Sequence, residues 1–315
     1  MRPRKGGRPT KKGRGRPSSA SKRQEVLEGR VVQTRGRRVL VRDLDGSEER
    51  VCFLAGHRAV VGDRVEWVVA KGEGGKLVGV GERRGRLVRT DANGREQVLA
   101  SHLDGLLVVT AARNPPFRIG LVDRYVVACS TEGLEPVVVL NKADEGVPDE
   151  VLAELSLRKL EVIVVSAHTG EGLDGLRARL VDGTWAMVGH SGVGKTSLVA
   201  ALLPEQDVGP VGDLSEYWGT GQHTTTGSTV FDLPGGGEVV DSPGIRTFAP
   251  GHLEPGQVRM HFPGVGTLGC RYRDCLHRPG EEDCTAEEEV DASLLQSYRR
   301  LLGEVLEREE RLRPG

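Results

Sequence analysis

Short runs of apolar residues, separated by glycine-rich turns, occupy the chain from residue 29 to residue 90. The turns contain Gly36, Asp45-Gly46, Gly62-Asp63 and the stretch 72–75. They divide this region into predicted strands at 30–34, 37–43, 49–53, 64–69 and 76–80. Five short strands in about sixty residues favour a small closed barrel of the OB type, an architecture that often binds oligonucleotides. An SH3-like barrel would have much the same pattern.

The pattern changes between residues 103 and 250. Continuous apolar runs at 106–109, 137–140, 162–165 and 185–188 are separated by helix-like stretches such as 121–130 and 151–160. Buried strands that alternate with helices are typical of a largely parallel sheet covered on both faces.

A Cys/His cluster and a final helix are predicted beyond residue 250, with no further clear strand. The apolar residues of this helix are spaced four, four, three and four apart, which places them on one helix face. They are Val290, Leu294, Tyr298, Leu301 and Val305. The simplest role for this face is packing against the rest of the protein.

A complete phosphate-loop motif, GxxxxGK[ST], lies between a predicted strand at 185–188 and a predicted helix at 197–203. In such a loop, backbone N–H groups surround phosphate oxygens, Lys195 reaches the β- and γ-phosphates, and Thr196 ligates Mg²⁺. The predicted phosphate-binding residues are Gly189, His190, Ser191, Gly192, Val193, Gly194, Lys195, Thr196 and Ser197.

Three further motifs follow predicted strands and favour guanine over adenine. In the first, Asn141-Lys142-Ala143-Asp144, the Asp144 carboxylate can accept hydrogen bonds from two guanine N–H groups that adenine cannot supply together. In the second, Ser166-Ala167, a backbone N–H can donate to guanine O6. In the third, which begins at Asp241, that carboxylate can hold Mg²⁺ through water, and Gly244 can sense the γ-phosphate. Ligands of open α/β sheets bind at the carboxyl ends of the strands, so these motifs predict one shared site.

The order of these motifs is permuted. The guanine motifs at 141 and 166 precede the phosphate loop at 189, whereas ordinary regulatory GTPases place them after it. The segment 221–227 lies where a switch threonine belongs, and among its three threonines we favour Thr225 as the Mg²⁺ ligand. Ile245 stands where many GTPases carry a water-positioning glutamine, which predicts slow intrinsic hydrolysis and assistance from a partner. His223 is either a polar group that helps hydrolysis or a loop histidine with only local hydrogen bonds.

Five cysteines are present, and three of them lie with a histidine inside fifteen residues. Cys52 and Cys129 fall within a predicted strand and a predicted helix and are expected to be core residues. The cluster of Cys270, Cys275, His277 and Cys284 can complete a tetrahedral Zn²⁺ site. An iron–sulfur centre or no metal remains an alternative, whereas a disulfide would leave an odd thiol.

Charge is distributed unevenly along the chain, although the overall net charge is −1. Residues 1–24 carry ten basic and no acidic side chains, and residues 25–90 carry fourteen basic and ten acidic ones. Such asymmetry predicts a front end that faces nucleic acid. The tail is expected to be disordered and serves either solubility or RNA attachment. The basic run Arg83, Arg84, Arg86 and Arg89 is either a solvated linker or an RNA contact.

Together these features predict an α/β protein whose circularly permuted P-loop GTPase domain follows an OB-type β-barrel and precedes a zinc-binding helical domain. The expected boundaries are 1–25 for the basic tail, 26–91 for the RNA-binding barrel, 92–250 for the GTPase domain and 251–315 for the zinc-binding and helical part. The apolar runs are too short for a membrane span, and no secretory signal precedes the first strand.

The sequence resembles the ribosome small-subunit-dependent GTPases of the RsgA or YjeQ family over roughly residues 28–300. The resemblance rests on the segments HLDGLLVVTAARNPPFRIGLVDRY, EPVVVLNKAD, GHSGVGKTSL, GQHTTT, DSPGIRTF and CRYRDCLH. Two differences stand out at the zinc cluster. The spacing from His277 to Cys284 is one residue longer than usual, and Gly-Glu-Glu-Asp replaces the usual Glu-Pro-Gly before Cys284.

The resemblance implies a cytoplasmic, monomeric enzyme that acts late in the maturation of the small ribosomal subunit. It implies rRNA and the small subunit as partners, GTP and GDP as ligands, one Zn²⁺ per chain and Mg²⁺ with the nucleotide. It also implies stimulation of hydrolysis by the subunit, control of release by nucleotide state, and a part for His223 in hydrolysis. The sequence has two alternative interpretations: an RNA-binding scaffold in which the nucleotide serves only as a structural clamp, and a P-loop ATPase or small-molecule kinase. The intact phosphate loop opposes the first, and Asp144 opposes the second.

Overall fold

A closed barrel of five strands forms the first folded part of the protein. The computed structural model describes residues 25–70, 74–90, 95–203, 227–241 and 253–312. The barrel strands are β1 (Val26–Arg35), β2 (Arg38–Asp43), β3 (Glu49–Phe53), β4 (Arg64–Val69) and β5 (Gly75–Val80). Strand β1 pairs with both β2 and β4, and the parallel pairing of β3 with β5 completes the ring. The structure thus confirms the predicted barrel.

The inward side chains of alternate barrel positions make a separate small core. It is centred on Trp67 and includes Val31, Val39, Val41, Cys52, Val65 and Leu77. A Cβ added at Gly75 would lie 2.8 Å from the Trp67 ring and would overlap the Cys52 sulfur, so this strand position accepts only glycine. Cys52 is fully buried, as the strand pattern predicts.

A hairpin that sequence analysis did not predict connects the barrel to the larger domain. Its strands are β6 (Leu87–Thr90) and β7 (Glu96–Ala100), and it straddles the expected domain boundary at residues 91 and 92. Three of the four arginines in the basic run have partners: Arg83 pairs with the buried Asp63, Arg86 with Glu132, and Arg89 donates to Gln97.

Five parallel strands and one antiparallel strand form the sheet of the central domain, in the order β10-β9-β8-β11-β13-β12. The strands are β8 (Gly105–Ala111), β9 (Glu135–Asn141), β10 (Glu161–Val164), β11 (Thr184–Val188), β12 (Thr229–Asp232) and β13 (Glu238–Asp241). The helices are α1 (Ile119–Thr131), α2 (Asp149–Ser156), α3 (Leu173–Leu180) and α4 (Lys195–Leu202). A 3₁₀ turn, Ala143–Glu145, follows β9.

The two faces of this sheet are covered by different helices because strand side chains alternate between faces. Leu106 and Val108 of β8 pack with α1 and α2, whereas Leu107 and Val109 pack with α3 and α4. Helix α2 is shorter than the predicted 151–160, since the left-handed backbone of Lys159 (φ 51°) turns the chain toward β10.

The helices described between residues 253 and 312 are α5 (Pro255–His261), α6 (Ala286–Glu289) and α7 (Ala292–Leu312). Val290 belongs to the extended segment before α7, so its predicted place in the helix was wrong; Asp291 accepts from the Ser293 N–H and caps the helix instead. The other four predicted residues lie in α7, and Tyr298 packs edge-on against Phe262 at 5.4 Å between ring centroids. Among the helices that the structure describes, none combines the length and apolar character of a bilayer span.

Candidate functional site

The phosphate loop connects β11 to α4 and is shaped by three glycines. Gly189, Gly192 and Gly194 have φ values of 149°, 85° and 89°. At Gly189 a Cβ would overlap the backbone carbonyl of Val109 in the neighbouring strand, so the close approach of the two chains requires glycine. Glycine-rich loops with such positive φ values before a helix are typical phosphate-binding sites.

Lys195 stands at the start of α4 with its ammonium folded onto the loop. Its Nζ donates to the carbonyl oxygens of Gly189, at 2.7 Å, and His190, at 2.9 Å. Thr196 and Ser197 are exposed in the first turn of α4, as are His190 and Ser191 in the loop, whereas Val193 is buried. The side chains that would bind phosphate and Mg²⁺ therefore face solvent, while the buried Val193 fixes the loop to the protein interior.

Asn141 is the buried junction between three predicted motifs. At the end of β9, its Nδ2 donates to the carbonyl of Val193 in the phosphate loop, at 2.9 Å. Its Oδ1 accepts from the N–H of Ala167, at 3.0 Å. The side chain is only 1% exposed, and both of its polar atoms have hydrogen-bond partners within the protein. A single amide thus sets the spacing between the phosphate end and the guanine end of the site.

Asp144 and Ser166 form the predicted guanine-facing pair. The Ser166 hydroxyl donates to Oδ1 of Asp144 at 2.5 Å and accepts from the N–H groups of His168 and Thr169. This hydrogen bond from Ser166 is the main reason that the pKa of Asp144 lies below its ordinary value. This hydrogen bond therefore favours the charged carboxylate and fixes the position of Oδ1.

A loop without a role in the sequence analysis also belongs to the site. Lys142 has a left-handed backbone (φ 65°), and its Nζ donates to the carbonyl of Asn114 at 2.6 Å. The neighbouring Arg113 donates to the carbonyl of Gly146 at 3.1 Å. In the sequence, only the resemblance of residues 111–118 to the family indicated this loop. Its contacts are accepted by backbone carbonyls, which any residue type carries, so no motif predicts them.

Asp241 is the last residue of β13 and lies in register with Thr229 of β12. It reaches the same edge of the sheet as the phosphate loop, because β13 and β11 are parallel neighbours. The predicted residues His223, Thr225 and Gly244, together with Ile245, lie outside the described residues.

The four predicted metal ligands lie together in the C-terminal part. The Nδ1 of His277 is 3.4 Å from each of three sulfur atoms, and two of those sulfurs are 3.9 Å apart. All four ligand atoms lie within 4.8 Å of one another, and they belong to Cys270, Cys275, His277 and Cys284. The bond lengths of a tetrahedral ZnS₃N site require S–N edges of about 3.6 Å and S–S edges of about 3.8 Å. The donor set fits a zinc ion, and the longer spacing before Cys284 does not remove that residue from the cluster.

The surroundings of this cluster act differently on two of its ligands: burial raises the pKa of the Cys275 thiol to about 12, which opposes the thiolate that a metal binds. Burial lowers the pKa of His277, which favours the neutral imidazole that metal ligation requires. Arg299 and Tyr298 of α7 donate to the carbonyls of His277 and Leu276, each at 2.8 Å. The loop that carries the four candidate metal ligands is thus hydrogen-bonded to helix α7.

Comparison with known proteins agrees with this arrangement. The family model described as RsgA GTPase matches residues 80–250. A protein of Azotobacter vinelandii named small ribosomal subunit biogenesis GTPase RsgA is 39% identical over 264 residues, which cover 79% of this chain and 76% of that protein. Its namesake from Pseudomonas aeruginosa is 38% identical over 293 residues, with coverages of 89% and 86%.

Two solved structures have the same architecture. The crystal structure of YjeQ from Thermotoga maritima has a TM-score of 0.72 at 26% identity and covers 90% of this chain and 99% of its own. That of YloQ, described as a circularly permuted GTPase, has a TM-score of 0.69 at 20% identity, with coverages of 96% and 100%. The second likeness shows the fold alone.

Proposed function

The chain belongs to the RsgA GTPase family and is a GTPase, and we propose that it hydrolyses GTP to GDP and phosphate while it assists late assembly of the small ribosomal subunit. The observation that carries the proposal is the Asn141 side chain, which joins the phosphate loop to the Ala167 loop beside Asp144. Because Asn141 joins the two loops, the groups that would bind guanine and those that would bind phosphate are held at a fixed distance from each other.

Guanine selectivity is attributed to the Asp144 carboxylate, held by the Ser166 hydroxyl. The N–H of Ala167, which donates to Asn141 Oδ1 at 3.0 Å, is proposed to be shared with guanine O6, and Ala143 and Lys142 complete the loop around the base. Adenine lacks the paired donors that this carboxylate requires, which disfavours an ATPase or a small-molecule kinase.

Phosphate binding and hydrolysis are attributed to the loop 189–197 and to the residues around it. Lys195 would leave the loop carbonyls and neutralise the β- and γ-phosphates, in the ground state and in the transition state. Thr196, Thr225 and Asp241 are the proposed holders of Mg²⁺, which would offset the charge of the phosphates when bound. Gly244 is proposed to sense the γ-phosphate and His223 to take part in hydrolysis.

The Cys₃His cluster is proposed to hold one structural Zn²⁺ per chain, because its donors match the edges of a zinc tetrahedron and all four positions come from protein. When bound, the ion supplies folding free energy to the ligand loop. We propose no catalytic step for it.

Ribosomal RNA is the proposed partner of the barrel and of the basic tail 1–24. The excess of positive charge before residue 91 supports this role, since phosphate neutralisation supplies most nonspecific RNA affinity. We further propose that the protein acts in the cytoplasm as a monomer, that the subunit stimulates hydrolysis, and that nucleotide state controls release. All of the proposed ligand groups are supplied by one chain.

Two measurements test the proposal. GTP turnover is measured with and without purified small subunits, and stimulation by subunits is expected; a binding scaffold with a structural nucleotide would show neither basal nor stimulated turnover. In the second measurement, Asp144→Asn should shift preference from guanine to xanthine nucleotides, because the amide donates where the carboxylate accepted. Unchanged affinities for GTP and xanthosine triphosphate would remove Asp144 from the base site.

A further inference from the structure

The barrel and the nucleotide-binding domain share one continuous sheet. Strand β1 of the barrel pairs with β12 at Gln33 and Thr229, and Thr229 is also the register partner of Asp241 in β13. These three residues lie side by side on three neighbouring strands, so they connect the barrel to Asp241, the candidate Mg²⁺ ligand. Two strand spacings make this distance only about 10 Å.

The chain that enters β12 is attached to the barrel by its backbone. The N–H of Thr34 donates to the carbonyl of Ser228 at 2.9 Å, and the N–H of Ser228 donates to Oγ1 of Thr34 at 3.1 Å. A Cβ at Gly227 would lie 2.6 Å from the Thr34 carbonyl oxygen, so the contact also explains the glycine that ends the 221–227 motif.

Two arginines of the barrel form ion pairs with the turn end of the β12–β13 hairpin. Asp232 and Glu238 are register partners there. Arg42 binds both oxygens of Asp232 at 2.9 Å, and Arg30 binds Glu238 at 2.5 Å. The side chains of Arg30, Arg42 and Glu238 are 23%, 24% and 16% exposed, whereas that of Asp232 is 62% exposed, so the Arg30–Glu238 pair is largely shielded from water and the Arg42–Asp232 pair only partly.

These contacts reach the phosphate-loop strand as well. Arg30 also donates to Oγ1 of Thr184 at 3.1 Å, and this hydroxyl donates to Glu238 at 2.8 Å. Thr184 opens β11, which leads directly to the phosphate loop. The barrel is therefore fixed to the two strands that carry the phosphate loop and Asp241.

We propose that Arg30 and Arg42 are positioning residues for GTP hydrolysis, which hold the β12–β13 hairpin against the barrel and thereby fix Asp241 at the nucleotide. This inference rests on the proposed function. Since the arginines belong to the barrel, a ligand that shifts the barrel changes the geometry at Asp241 without contacting the nucleotide.

The test compares Arg42→Gln with Arg179→Gln in the full-length protein. Arg179 is the control: it is also 24% exposed and binds two carboxylates, Glu135 at 2.6 Å and Glu161 at 2.8 Å, on β9 and β10 rather than on the β12–β13 hairpin, and its guanidinium lies 4.7 Å from the ring centroid of Trp185 in β11. Amide hydrogen exchange without nucleotide is measured over residues 227–241. The Mg²⁺ concentration for half-maximal GTP turnover is measured separately from kcat.

Arg42→Gln is expected to speed exchange in β12 and β13 and to raise the Mg²⁺ requirement about fivefold, the effect of one partly shielded ion pair. Arg179→Gln should leave both quantities unchanged while altering thermal stability by a similar amount. Asp232→Asn removes the same ion pair from the hairpin side, so the double variant Arg42→Gln with Asp232→Asn should raise the Mg²⁺ requirement no more than Arg42→Gln alone, whereas independent losses of stability would add.

Equal effects of Arg42→Gln and Arg179→Gln on exchange and on the Mg²⁺ requirement would overturn the inference and reduce the arginines to ordinary interdomain contacts. A wild-type protein without any GTP turnover is a different result. It would reject the proposed function, while the exchange data would still report whether the barrel holds the hairpin.

Discussion

Replacing Asp123 by asparagine removes the charge partner of an arginine in the protein interior. Asp123 of α1 is 1% exposed and Arg158, which follows α2, is 2% exposed. Their bidentate contact joins Nε to Oδ1 at 2.6 Å and Nη2 to Oδ2 at 3.0 Å. Ser297 of α7 donates to the same carboxylate at 2.7 Å. The variant therefore acts on the point where the central domain meets the C-terminal helix.

The expected loss of stability follows from this burial. Removing one partner of a buried ion pair costs about 3–5 kcal/mol, because the other charge remains desolvated and unpaired. Arg158 keeps a second carboxylate, that of Glu154 at 3.3 Å from Nη1, and the asparagine oxygen can still accept one hydrogen bond, so we expect the lower end, about 3 kcal/mol. For a cooperative unit of this size, that corresponds to a fall in Tm of about 6–12 °C.

Urea unfolding followed by tryptophan fluorescence measures the change, because Trp185 is buried in the central domain. Asp174→Asn is the control: Asp174 also pairs with an arginine, Arg177, but its side chain is fully exposed. This control is expected to unfold at the wild-type urea concentration. The double variant Asp123→Leu with Arg158→Met should regain part of the lost stability, since it leaves no buried charge.

The reasoning would be refuted if Asp123→Asn and Asp174→Asn had the same unfolding midpoint. Equal midpoints would mean that water reaches the Arg158 guanidinium, so that the carboxylate is not needed to compensate its burial. A double variant less stable than Asp123→Asn would instead show that apolar side chains cannot fill the space between α1 and α2.

Three other outcomes are expected. Lys195→Ala should lower subunit-stimulated turnover by about 100-fold or more, because its charge acts on the phosphates in the transition state; wild-type turnover would place hydrolysis elsewhere. Ser166→Ala should remove the main cause that lowers the pKa of Asp144. The carboxylate form binds guanine and is lost as pH falls through that pKa, so in a titration of GDP affinity the variant should lose binding at a higher pH than wild type, and an unshifted curve would contradict the assigned hydrogen bond. Purified protein should contain one zinc per chain by elemental analysis, and Cys284→Ser should lose it whereas Cys52→Ser keeps it; equal zinc in both variants would exclude Cys284 as a ligand.

Much of the local structure is predictable from neighbouring residues. Four of the five barrel strands both begin and end within one residue of their predicted bounds, because side-chain alternation and glycine turns are local properties. The phosphate loop, Asp144 and the Cys₃His cluster are equally visible, since each is a short motif with its chemistry in consecutive or nearby positions. The order of these motifs also predicts the permuted connectivity.

The tertiary structure alone decides which distant groups meet. Asp123 and Arg158 are ordinary charged residues in the sequence, and only their burial between helices makes them a pair. The same holds for Arg42, whose partner Asp232 lies 190 residues away. Hairpin β6–β7 went unpredicted because its strands are only four and five residues long, and their apolar residues Leu87 and Leu99 join Val61 in a core cluster that only the tertiary structure forms. Local pattern determines which elements form, whereas long-range register and desolvation determine how the barrel, the nucleotide site and the zinc cluster are joined.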